Sequence, residues 1–181
     1  MKFTRTGVEG VMLVDPEVFT DERGLFMETW RADAFAVAGR DMAFVQDNHS
    51  LSRRGVLRGL HYQATRPQGK LVRAVAGVVF DVVVDPRPDS TSFGRWFGVE
   101  LSARNRRMLW APPGVAHGFL TLTANAEVIY KCTDFHAPAD ERAIRWDDPD
   151  LAIAWPLAPG ERPILSARDA AAPAFRDAGL G

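Results

Sequence analysis

Residues 70–85 read KLVRAVAGVVFDVVVD: the even positions Val72, Ala74, Ala76, Val78, Phe80, Val82 and Val84 are all apolar, and the odd positions mix in Arg73, Gly77 and Asp81. Successive side chains leave a β-strand on opposite faces, so alternation with period two marks a half-buried strand. The spacing predicts one long strand here, with a core face and a mixed face.

Working outward, further β-prone runs occupy residues 11–14, 24–30, 44–50, 55–63, 96–101 and 107–111, with Ile144-Arg145-Trp146 a short strand near the end. The runs 116–123 and 127–134 flank Ala124-Asn125-Ala126 and read as a hairpin. In that register Phe119 opposes Tyr130, and His117 shares its face. Helix is sparse: residues 32–38 ending at Gly39, and a turn within 167–175 that Pro173 interrupts. Many short strands with Gly and Pro turns and little helix indicate an all-β sandwich or small barrel of the jelly-roll type with a few short peripheral helices. The mouth of such a barrel holds small ligands.

With 181 residues, 46% hydrophobic and 25% charged, the chain fits a single domain spanning residues 1–181. A net charge of −1 offers no broad positive field for nucleic acid or an anionic membrane. Neither a signal peptide nor a membrane-length apolar run is visible, and the single Cys132 suits a reducing compartment as an inert buried thiol, so the expected location is the cytoplasm.

Within Arg58-Gly59-Leu60-His61-Tyr62-Gln63 a guanidinium and an imidazole stand three positions apart in a β-prone segment, and His61 reads as a proton-abstracting base. The four histidines form no HxH or HExxH pair, which argues against a bound metal, and neither GxSxG nor a phosphate-binding glycine loop occurs. What remains is His61, Lys70, His117, Tyr130, Asp169 and several arginines, a set suited to acid–base work on a carbon acid with anion binding by arginine. Plainer readings stand beside these. Asp169 precedes three alanines as a helix N-cap would, Tyr130 suits a barrel aromatic, Lys70 a solvated strand end, and Arg23 a turn residue with Glu28 as its surface partner. His49 and His136 read as structural or exposed.

Seven blocks in order carry a resemblance: residues 19–26 (FTDERGLF), 44–50 (FVQDNHS), 56–63 (VLRGLHYQ), 68–73 (QGKLVR), 80–85 (FDVVVD), 116–119 (AHGF) and 165–173 (LSARDAAAP). Together they resemble the dTDP-4-dehydrorhamnose 3,5-epimerase family over nearly the whole chain. The resemblance implies a cupin-like jelly roll without metal or cofactor, usually a homodimer, that inverts C3 and C5 of dTDP-4-dehydro-6-deoxy-D-glucose. It places His61 as base, Asp169 as its paired carboxylate, Tyr130 as acid and Lys70 near the keto oxygen. Arg23, Glu28, Gln46, Asp47, Asn48, Arg58, His117, Glu141 and Arg168 match ligand-contacting positions, with Arg23 and Arg58 on the diphosphate and Glu28 and Gln46 to Asn48 on the nucleoside. At 168 an Arg stands where Lys is also familiar, which keeps the charge and alters the geometry of anion binding. Three rivals stay open: an enzyme inverting only C3 or only C5, a non-catalytic cupin that binds a sugar nucleotide, and a metal-dependent cupin oxygenase or isomerase.

Overall fold

A computed structural model describes residues 1–37 and 43–178. Along the chain run β1 (Lys2–Arg5), β2 (Met12–Asp15), β3 (Val18–Asp21), β4 (Gly24–Met27), β5 (Gln46–Arg53), β6 (Leu57–Gln63), β7 (Lys70–Ala76) and β8 (Val78–Val84). There follow β9 (Trp96–Ser102), β10 (Met108–Ala111), β11 (Ala116–Thr121), β12 (Asn125–Cys132) and β13 (Glu141–Ala143). Helix is confined to α1 (Ala32–Val37), α2 (Ala167–Ala170) and a 3-10 turn at Phe175–Asp177. The expected helix stop at Gly39 lies outside the described residues. No described helix is long and apolar enough to cross a membrane.

Two antiparallel sheets face each other, one ordered β1-β2-β10-β7-β12-β5 and the other β13-β6-β11-β8-β9, while β3 and β4 form a separate ribbon. This is the expected cupin-like jelly roll. Between the sheets lies a core that includes Val72, Ala74, Val79, Val83, Leu109, Phe119 and Val128. Each sheet also buries its outer face. Phe35 of α1 covers Met12, Leu71 and Trp110 on the first, and the C-terminal segment lays Phe175 and Ala178 over Leu60, Tyr62, Val82 and Val84 on the second. A fully buried Phe or Leu contributes about 2–3 kcal/mol relative to an exposed one, so these covers hold α1 and the C-terminal segment in place.

The single long strand expected over residues 70–85 is two strands in different sheets. Gly77, at φ +67°, turns the chain from one to the other, and a Cβ there would lie 2.1 Å from the Asn125 carbonyl oxygen. Crossing between sheets reverses which parity faces inward. On β7 the even residues Val72 and Ala74 join the inner core. On β8 the odd residues Val79 and Val83 do so, and even-numbered Val82 and Val84 face the outer one. Asp81, an odd residue, therefore points into the sandwich.

The expected hairpin is also not formed. β11 pairs with β6 and β8, and β12 with β5 and β7. The connection crosses between sheets instead of turning back, and Thr123 fastens the crossing by accepting from Val78 N–H and donating to Asn125 O. His117 and Tyr130 still meet, across the sandwich, with ring centroids 6.5 Å apart. The late short strand lies at β13, pairing with β6, slightly earlier than the pattern at 144–146 placed it.

Candidate active site

His61 on β6 and His117 on β11 are cross-strand partners, so both side chains leave the same face of the sheet. Glycines let these two strands approach: a Cβ on Gly118 would lie 2.6 Å from Arg58 O, and Gly59 holds φ +128°. Above them opens a cavity of about 420 Å³, lined by His61, Lys70, His117, Tyr130, Arg58 and Asp169 among others.

His61 Nε2 donates to Asp169 Oδ1 at 2.6 Å, with the side chains 25% and 5% exposed. Nδ1 is then the ring nitrogen with a free lone pair; its nearest carboxylate oxygen, Glu141 Oε1, stands at 3.8 Å. Asp169 is not the N-cap of α2. Ser166 is, its hydroxyl accepting from Asp169 N–H, and this frees the Asp169 carboxylate to face the imidazole. Burial pushes the Asp169 carboxyl up, but hydrogen bonds from His61, the Ser166 hydroxyl and Gly59 N–H outweigh it and hold the group below the usual carboxylate range.

A second pair lies deeper. His117 Nε2 stands 2.9 and 3.1 Å from the two oxygens of Asp81, at 6% and 0% exposure. Burial pushes the Asp81 carboxyl up, opposed by His117 and Lys70. Lys70 is buried, and among the described residues the only hydrogen bond of its side chain is a long one, 3.4 Å from Nζ to His61 O. Burial pulls its amine below the ordinary lysine value against Cys132, Glu141 and Asp81. An ammonium held this way is open to a ligand oxygen. Tyr130 rises from the opposite sheet, and burial pushes its phenol up, with Arg58 opposing, so it keeps its proton at neutral pH.

At the rim, Arg58 Nε donates to Ser52 Oγ at 3.0 Å and has no carboxylate partner among the described residues. Arg168 is paired with Glu141, which also stands 3.4 Å from His136 Nε2. Burial raises the Glu141 carboxyl, but His61, His136 and Arg168 together hold it low. Gln46 and Asn48 bond to each other at 3.0 Å on the face of β5 that continues from Tyr130. Asp47 points to the other face, where it pairs with Lys131. Arg23 and Glu28 do not line this cavity. Arg23 is on the β3–β4 ribbon with its side chain 86% exposed and paired with Asp21, and Glu28 pairs with Arg31 rather than with Arg23.

Sequence reasoning gave no role to Asp81, Ser166 or Ser50. Asp81 was visible as a charge among valines, and Ser166 as Ser-x-x-Asp ahead of alanines. Ser50 lines the cavity, and its buried hydroxyl has no hydrogen-bond partner among the described residues. Cys132 is a buried free thiol, and His49 is exposed beside Glu127, as read from the sequence. His136 is exposed too, though its ring reaches Glu141 at the rim. Among the described residues no group of three or more His, Cys, Asp or Glu side chains is placed to hold a metal ion.

Residues 5–177 match the family model described as dTDP-4-dehydrorhamnose 3,5-epimerase. The chain is 54% identical over 179 residues to the Pseudomonas aeruginosa protein of that name, covering 98% of each. It superposes with TM-score 0.93 and 47% identity on a Legionella pneumophila dTDP-6-deoxy-D-glucose-3,5-epimerase in complex with dTDP-4-keto-L-rhamnose, over 97% of this chain and 93% of that one. A 3′-monoepimerase from Streptomyces bikiniensis, in complex with dTDP-quinovose, superposes with TM-score 0.88 and 38% identity, over 94% and 86%.

Proposed function

The chain belongs to the dTDP-4-dehydrorhamnose 3,5-epimerase family, and from that premise we propose that it is a carbohydrate epimerase that inverts C3 and C5 of dTDP-4-dehydro-6-deoxy-D-glucose, giving dTDP-4-dehydro-L-rhamnose. Both carbons flank the C4 ketone, so loss of either proton leaves an enolate with its charge largely on one oxygen. Inversion needs a base on one side of the carbon and a proton donor on the other. The observation that carries the reading is that His61 and Tyr130 reach one cavity from opposite sheets.

His61 takes the proton on Nδ1, and the ionised Asp169 fixes the tautomer and supports the imidazolium. Lys70 holds the developing oxyanion from a buried position, where one such preorganised donor contributes about 3 kcal/mol. Tyr130 returns a proton from the other wall. Arg58, which has no carboxylate partner among the described residues, and Arg168 take the diphosphate through charge-assisted hydrogen bonds. Gln46 and Asn48 extend the site toward the nucleoside, with His117 beside the sugar and Glu141 setting the position of Arg168.

Arg23 and Glu28 complete the site from a second copy of the chain in a homodimer. What supports this is the β3–β4 ribbon, which projects Phe19, Leu25 and Phe26 into solvent beside Arg23 and pairs with neither sheet. Light scattering should then give twice the chain mass, and Arg23→Ala should raise KM; a monomer with full activity removes the dimer.

The epimerase reading is tested by proton NMR of the substrate in D2O after the enzyme has been treated with a chelator. Deuterium should enter at both C3 and C5. Exchange at one carbon favours the single-centre reading, which the resemblance to the Streptomyces monoepimerase keeps in view. No exchange at either carbon overturns the proposal, and activity that chelation removes and added metal restores overturns the expectation of a metal-free site.

A further inference from the structure

His61, Lys70 and Tyr130 grow from strands of the sandwich, whereas Asp169 sits on α2, one turn of helix that has no stability of its own. The position of its carboxylate depends on what holds residues 166–178, and the anchors can be named. Phe175 N–H donates to buried Asp148 Oδ2 at 2.7 Å, and Asp148 Oδ1 accepts from Asp150 and Leu151 N–H. Tyr62 O–H donates to Ala178 O at 2.9 Å. Phe175 and Ala178 pack on Leu60 and Tyr62. Neighbouring residues of a strand face opposite ways, so β6 presents His61 to the cavity and, one residue on, Tyr62 to the strap that carries the partner of His61.

We propose that Asp148 and Tyr62 are positioning residues for the epimerisation: they pin the C-terminal strap to the back of β6 and thereby set the His61–Asp169 hydrogen bond. The proposal rests on the epimerase reading in which Asp169 serves His61. Asp148 must accept on both oxygens, so Asp148→Asn turns an amide N–H toward a backbone N–H and releases one anchor. Tyr62→Phe releases the other by removing a single hydroxyl.

The test compares Asp148→Asn and Tyr62→Phe with Phe35→Leu, which loosens the outer core of the far sheet, each made in the natural protein and in Asp169→Asn. The readouts are kcat at saturating substrate, Tm, and the deshielded imidazole N–H resonance of the His61–Asp169 bond. Asp148→Asn should lower kcat on the order of tenfold and Tyr62→Phe several-fold, since misplacing a catalytic group by a fraction of an ångström is enough for such losses. Both should shift or broaden the resonance, and both should lose most of their effect in Asp169→Asn. Phe35→Leu should lower Tm and leave kcat and the resonance alone. The proposal is overturned if the two variants keep kcat and the resonance, or if they slow Asp169→Asn as much as the natural protein. Full turnover by Asp169→Asn alone would instead sink the dyad reading, a result the resonance of the anchor variants does not depend on.

Discussion

Two imidazole–carboxylate pairs stand at the cavity wall or just behind it, and they are built in opposite ways. His117 and Asp81 come from the adjacent strands β11 and β8, with His117 at the cavity wall and Asp81 fully buried behind it, so their contact is part of the sheet. His61 and Asp169 are 108 residues apart, and the carboxylate arrives on a strap outside the sheets. The two carboxyls are pushed in opposite directions. Burial favours the neutral form of Asp81, while hydrogen bonds keep Asp169 ionised and able to support an imidazolium. A pair fixed in a sheet shapes a cavity, and a pair whose imidazole is partly exposed, with a free ring nitrogen, can exchange protons with a substrate.

Removing the base should have the largest effect. His61→Ala should lower kcat about 10³-fold, the scale of a lost general base, with the fold intact by circular dichroism. Asp169→Asn should cost about 10²-fold in kcat and lower Tm modestly at neutral pH, because it removes a hydrogen-bonded carboxylate and leaves the sheets untouched. The contrast sharpens with Asp81→Asn, where replacing one oxygen of a fully buried, hydrogen-bonded carboxyl should lower stability by about 1–3 kcal/mol in urea unfolding. If Asp81→Asn spares stability and abolishes turnover, the assignment of roles to the two pairs is reversed.

Acid should separate the pairs as well. Asp169 and Glu141 have native pKa values below the ordinary carboxylate value of ~4. Their contribution to stability is complete above that value and is lost as pH falls through their depressed ones. Asp81 has the opposite sign: its native pKa is raised, so stability declines as pH rises from ~4 toward the native value. Stability–pH curves for Asp169→Asn should therefore converge on the natural protein at low pH, and Asp81→Asn should remove the opposing slope. The smallest effect belongs to Ser50→Ala, which should raise KM a few-fold by removing an unpartnered hydroxyl from the cavity wall.

Much of the architecture was legible in sequence, because period-two alternation identifies strands wherever one face is buried. What alternation does not encode is a change of sheet. Residues 70–76 and 78–84 continue one pattern through Gly77, yet their inward parity reverses, and that reversal is what brings Asp81 to His117. The three residues after Thr123, Ala124-Asn125-Ala126, read as a hairpin turn because a short break between two strand patterns looks the same whether the chain folds back or crosses to the facing sheet. No spacing rule links His61 to Asp169 across 108 residues; that pairing came from family resemblance, and the structure adds the physical reason, a Ser166 cap that frees the carboxylate. Arg23 and Glu28 were equally legible as matches, but a single chain leaves them outside the cavity.

The central claim is that base and acid work from opposite walls, and it is tested most directly by Tyr130→Phe with substrate in D2O, following deuterium entry and configuration at C3 and C5 together. With His61 intact and the opposite donor gone, deuterium should still enter at both carbons, returned to the face it left, while the inverted product falls. Inversion at the natural rate, or loss of exchange and inversion in equal measure, would contradict the two-wall account.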